Sequence, residues 1–157
     1  MQNGGSSAAA APKAGFWIRF VAYIIDSLVI GIPLGIILGL AGAFSAGSTG
    51  AYSSGSSGPS GVVLVVYAIA VLASIAYFVY FWSRPDGQTL GMKAVNVRVV
   101  KTDGSPVSAG SAFVRWIGYI VNSIIFGIPI GFIWAAFDKN KQGWHDKMAG
   151  TYVVKKS

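Results

Sequence analysis

FWIRFVAYIIDSLVIGIPLGIILGL, residues 16–40, is apolar for long enough to cross a bilayer and yet carries an arginine and an aspartate. As a helix, 25 residues reach roughly 37 Å at about 1.5 Å each, more than the roughly 30 Å of hydrocarbon to be covered. Arg19 and Asp26 stand seven residues apart, so both fall on one face with Tyr23 between them. An aspartate among Ile, Leu and Val costs about 2.5–3.5 kcal/mol on insertion scales, so that polar stripe should face protein or a wet cavity and find a partner. Gly31, Gly35 and Gly39 recur every four residues on another face, where a second helix can approach closely. Pro33 among them removes a backbone donor, and a bend is expected there.

The pattern returns 96 residues later. RFVAYIIDSLVIGIPLGII (residues 19–37) set over RWIGYIVNSIIFGIPIGFI (residues 115–133) is identical at nine of 19 positions, including Arg19/Arg115, Tyr23/Tyr119, Gly31/Gly127, Pro33/Pro129 and Gly35/Gly131. Asp26 becomes Asn122. Unrelated membrane helices would share Leu and Val rather than an Arg, a Tyr and a Gly-Ile-Pro-x-Gly in register, so the spacing indicates an internal duplication.

Composition fits the same class. The chain is 54% hydrophobic and 11% charged, against about 25% charged in soluble domains. Its mean hydropathy is +0.60. The net charge of +7 comes from basic residues beside apolar spans, so anionic lipid at the cytoplasmic face is the expected counter-charge and nucleic acid is not. Without cysteine there is no disulfide or thiolate chemistry.

Residues 1–15 are small and polar, lack the basic start and apolar core of a signal peptide, and are expected to be a disordered tail. Residues 41–61 form an uncharged Gly/Ser linker, and residues 62–82 form a second span ending in an interfacial aromatic belt, Tyr80, Phe81 and Trp82. Five Lys/Arg fall in residues 84–115 and none in residues 41–61, which puts the N-terminus and the amphipathic loop 84–111 in the cytoplasm. In that loop Val95, Val97 and Val99 alternate with polar residues, the period of a half-buried strand, closed by Thr102-Asp103-Gly104. GQTLGMK, residues 87–93, lacks the spacing of a phosphate loop and follows an apolar helix where a strand is required, so nucleotide binding is rejected.

Residues 112–137 are a third apolar segment. Its 26 residues fit one crossing without strain, and a fold of three transmembrane helices is preferred, all-α apart from short cytoplasmic strands. A single crossing would put the lysine-rich tail outside, against the positive-inside expectation. A second echo bears on this: at an offset of 54, Gln88, Lys93 and residues 99–101 match Gln142, Lys147 and residues 153–155. If those strands pair, they share a side, and the third segment must turn back near Gly127, Pro129 and Gly131 as a re-entrant hairpin.

These residues together resemble the RDD family of small bacterial membrane proteins. The resemblance rests on Arg19, Asp26, the G-x-T-L-G block at residues 87–91 leading to VRVV (97–100) and Asp103-Gly104, and the tail WHDKMAGTYVV (144–154), with Asp146 as the second aspartate; it spans residues 16–154 and leaves a basic end, 155–157. Met92 stands where the block usually carries a base, with Lys93 beside it. The resemblance implies an inner-membrane location and only a loose association with transport.

Asp26 can be read as a proton- or cation-binding group, or as one side of a helix-locking contact with Arg19, Arg115 or Tyr119. Arg19 and Arg115 are expected to snorkel to lipid phosphate, or else to serve a substrate. Asp138, His145 and Asp146 are poor metal ligands beside Lys139, Lys141 and Lys147; no catalytic constellation is visible, and no cofactor or metal is implied. Two function classes survive. One is a transporter or cation/proton exchanger with a polar pathway of Arg19, Tyr23, Asp26, Arg115, Tyr119, Asn122 and Asp146, working as a homo-oligomer. The other is a scaffold for another membrane protein.

Overall fold

The computed structural model describes residues 8–48, 61–126 and 130–156. The described elements are α1 (Phe16–Ser48), α2 (Gly61–Ser83), α3 (Leu90–Ala94), β1 (Val97–Lys101), α4 (Ala109–Phe126), α5 (Ile130–Phe137), α6 (Trp144–Ala149) and β2 (Thr151–Lys155). The chain is mainly helical with one two-stranded sheet.

Two of these helices, over Phe16–Ala43 and Gly61–Ser83, are long and apolar enough to cross a membrane. Only 6% of each apolar window is buried, so neither is the core helix of a soluble body. α1 runs on through Pro33 to Ser48, eight residues beyond the expected end, because AGAFSAGS offers alanine, the best helix former. The remaining Gly/Ser linker, residues 49–60, lies outside the described residues, as do residues 1–7, Gly127 and Pro129.

The contacts divide the chain into two compact units, residues 27–74 and residues 1–26 with 75–157. In the first unit Leu28, Ile32, Ile36, Leu40, Leu64 and Leu72 are all exposed. The second unit holds the core. Trp82, Met92, Val97, Val99, Val107, Ala112 and Val153 pack as one cluster, with Tyr119 and Phe78 against it.

β1 and β2 pair antiparallel with Val99 opposite Val153. The strand begins at Val97 and not at Val95, because Val95 caps α3 and Asn96 turns the chain with φ 59°. Val97 and Val99 enter the main cluster, while Val100 joins Val154 and Ala8 on the other face. A two-stranded sheet is marginal alone, and the N-terminal segment adds to it. Ala14 N donates to Val153 O at 2.8 Å, Lys155 N donates to Pro12 O at 2.8 Å, and Lys13 bridges Val154. The expected disordered tail is therefore ordered over residues 12–14: backbone groups at the edge of β2 find their partners there.

The offset of 54 reappears in local structure. α3 starts at Leu90 and α6 at Trp144; β1 starts at Val97 and β2 at Thr151. Gly87 (φ 56°) corresponds to Lys141 (φ 51°), and Asn96 (φ 59°) to Gly150 (φ 61°). Gln88 Nε2 donates to Val97 O at 2.8 Å, as Gln142 Nε2 does to Thr151 O at 3.0 Å. A non-glycine residue rarely takes a positive φ, so two pairs in register, each with one non-glycine member, reflect a similar local backbone path.

Of residues 112–137 the structure describes α4 up to Phe126 and α5 from Ile130, and among the described residues neither helix joins the two candidate spans.

Candidate functional site

The site is assembled where α1, α2, α4 and the two short helices meet inside the second unit. Its centre is Asp146, in the first turn of α6, fully buried. Arg19 Nη1 donates to Asp146 Oδ2 and Arg115 Nη1 donates to Asp146 Oδ1, so guanidinia from the two similar helices close on one carboxylate. Gly143 N adds a 2.9 Å bond to Oδ2, tying the carboxylate to the start of its own helix. Arg115 Nη1 also donates to Thr151 Oγ1 at 2.8 Å, and Arg19 Nε donates to Ala14 O at 3.1 Å.

Neither arginine snorkels to lipid. Arg19 is 3% and Arg115 1% exposed, because a buried carboxylate gives a bidentate-capable cation a better partner than a distant headgroup. Burial by itself would raise the Asp146 carboxyl, but the Arg115 and Arg19 guanidinia override it and hold the group well below the usual carboxylate range. Beside it lies His145, completely buried, whose Nε2 is 3.6 Å from Asp146 Oδ2. Burial is the main reason that its pKa falls to about 3; Asp146 pulls the other way but is outweighed, with Arg115 and Arg19 adding to the fall.

Asp26 takes other partners. Among the described residues it forms no ion pair with Arg19 or Arg115, two of the partners expected for a helix lock. Tyr77 Oη donates to Oδ1 at 2.9 Å, Gly91 N to Oδ1 at 2.8 Å, and Thr89 Oγ1 to Oδ2 at 2.5 Å. Among the described residues no ion pair reaches Asp26. The G-x-T-L-G block explains itself here. Thr89 caps α3 by accepting from Met92 N at 3.2 Å while donating to Asp26. A Cβ on Gly91 would stand 2.1 Å from Ala22 O and 2.9 Å from Asp26 Cγ, so only glycine lets α3 seat against α1.

Tyr23 and Tyr119 stack at 6.2 Å, and Tyr119 also lies 4.4 Å from the His145 ring. Asn122 stands apart from the Asp146 cluster in its bonding: its Oδ1 accepts from Gly131 N at 2.7 Å and so braces the start of α5. Trp82 is fully buried with the Arg115 guanidinium 4.9 Å over its ring, so it belongs to the site and not to the expected belt, where Tyr80 remains exposed. A Cβ added to Gly31, Gly35 or Gly39 would meet nothing within 4 Å. Sequence reasoning does not single out Tyr77, Thr89, Trp82 and His145 as members; the one signal for them is proximity to the G-x-T-L-G and WHDK segments.

Two apolar spans, and an arginine pair gathered onto one aspartate from helices of like sequence, define a membrane protein built around a buried charge cluster. The chain belongs to the RDD family, whose model matches residues 13–150. It is 35% identical over 150 residues to YxaI of Bacillus subtilis (strain 168), covering 91% of this chain and 97% of that one. YckC of the same strain is 35% identical over 144 residues, 90% of this chain and 83% of the relative. Both relatives carry only the description "uncharacterized protein". No solved structure matches.

Proposed function

We propose that the protein is a non-enzymatic exchanger of the bacterial inner membrane that trades a proton for a small cation at Asp26, as a homo-oligomer. The observation that carries this reading is the division of charge in the site. Both arginines are taken up by Asp146, while Asp26, within the first span, receives neutral donors only. A carboxylate in apolar surroundings without a cationic partner lowers its cost by binding either a proton or a cation. Alternation between those two states is exchange.

The topology we infer has the N-terminus, the loop 84–111 and the C-terminus in the cytoplasm, near anionic lipid, with α4 and α5 as a re-entrant hairpin in place of a third crossing. The pairing of β1 with β2 supports it. Two crossings are too few for a pathway within one chain, and the open glycine face of α1 supports association between copies. A scaffold keeps one observation in its favour: the three donors to Asp26 also tie α1 to α2 and α3.

Flux in proteoliposomes separates the two. With an internal pH dye and imposed gradients of Na⁺, K⁺ or Li⁺, the wild type should move protons, and Asp26→Asn should lose at least about tenfold of that rate, about 1.4 kcal/mol, while retaining its oligomeric state. Undiminished flux in a stable Asp26→Asn protein would falsify the exchange site. No flux from the wild type under any gradient would leave the scaffold.

A further inference from the structure

Among the described residues, three residues that line one cavity each carry a buried donor with no hydrogen-bond partner: Arg19 Nη2, Arg115 Nε and Trp82 Nε1. Their residues are 3%, 1% and 0% exposed. All three side chains border a cavity of about 10 Å³, with Tyr23, Asp26 and Tyr119 also on its wall. That room suits a single occupant of roughly the size of a water molecule.

The donors define what the occupant must be. Guanidinium and indole N–H groups cannot accept, so they call for an acceptor, and a buried donor left unsatisfied costs about 1–3 kcal/mol. Charge narrows the choice. Two guanidinia share one carboxylate, Asp146, and Asp26 is the other carboxylate on the wall, so one surplus positive charge stands beside the cavity when Asp26 carries a proton. Asp26, the other carboxylate on the wall, already receives Tyr77, Thr89 and Gly91 N. A halide accepts from every side and supplies the missing charge, whereas a water molecule supplies none.

We propose that this cavity is a binding site for one monovalent halide, chloride in the cell, held by Arg19, Arg115 and Trp82. The site uses the arginines and the indole and rests on the proton-bound state of Asp26 in the proposed function, whereas its readout, halide-dependent stability, needs no flux.

The test is thermal stability of the purified full chain in detergent, in chloride or bromide against gluconate at equal ionic strength. The unfolding temperature should rise with halide concentration and follow the saturation expected of a ligand that binds only the folded state. Trp82→Phe should raise the half-saturating concentration about tenfold, the loss of one hydrogen bond to a charged acceptor. Crystals of the wild type grown in bromide should show anomalous density between Arg19, Trp82 and Arg115, which decides the matter even if Trp82→Phe does not fold. Identical unfolding temperatures in halide and gluconate, or density at that point with no bromide signal, would overturn the proposal.

Discussion

At the scale of single residues, acid sensitivity follows from the two buried groups of α6. The His145 pKa is depressed from 6.5 to about 3 by burial, so between those values the unfolded chain binds a proton that the folded one refuses. Stability is therefore complete above about pH 6.5 and falls on acidification by up to about 1.4 kcal/mol per pH unit for this one proton. Asp146, held below its usual range, adds a second proton to the difference once the pH drops below about 4, and the fall steepens there. His145→Gln removes the first contribution and leaves the second. Denaturation of both proteins at several pH values should show the variant flat between about pH 6.5 and 4 where the wild type declines. Parallel curves would show that His145 is not held neutral by the fold. The sequence made the polar stripe of Arg19, Tyr23 and Asp26 legible, because a seven-residue spacing fixes a helix face. It could not reveal that Arg19 passes over Asp26 for Asp146, 127 residues away. That choice is set by where α6 is seated, and spacing along one helix contains no such information.

At the scale of elements, the glycines sort into two kinds that look alike in sequence. Gly91 is pressed against backbone: its Cβ would meet Ala22 O at 2.1 Å, and neither α1 nor α3 can yield without losing the bonds to Asp26. Gly35 has open space around the same added atom. Gly91→Ala should thus destabilise the single chain by about 1–3 kcal/mol, the usual range for overpacking. Gly35→Leu should leave chain stability within about 0.5 kcal/mol and act only on association between copies, where the added side chain forces helices apart. Leu34→Ala, off the glycine face, is the control for lost hydrophobicity. Thermal unfolding beside oligomer size in detergent checks both, and a Gly35→Leu protein that assembles like Leu34→Ala would remove the glycine face as an interface. Helix existence was readable from hydropathy. The limits of α1, the start of β1 and the bracing of α5 by α4 were not, since they depend on alanine propensity past residue 40, on the positive φ of Asn96, and on Asn122 bonding to Gly131 N.

At the scale of the whole chain, α1, α2, α3 and β1 are followed by α4, α5, α6 and β2, with one offset of 96 in the first helices and one of 54 in the last two elements. The contacts are exchanged in kind. Ala22 meets Gly91 in one half, while in the other Gly118 would place a Cβ 2.7 Å from His145 Cβ, so the small residue has changed sides of the same contact. We propose that two copies of one motif account for both offsets. For the side of the C-terminus we propose the cytoplasm, the side of the loop 84–111. β2 is hydrogen-bonded to β1 and to residues 12–14, and directly paired backbones share a side. That arrangement also removes the conflict in charge, since Lys13, the bases of residues 84–115 and the five lysines of residues 138–157 then lie together. In intact cells an impermeant thiol reagent should label Ser54→Cys and spare both Ser105→Cys and Ser157→Cys, with all three labelled after the membrane is opened. Labelling of Ser157→Cys from outside, with Ser105→Cys protected, would restore three crossings and require that β1 and β2 do not pair in the membrane-embedded protein.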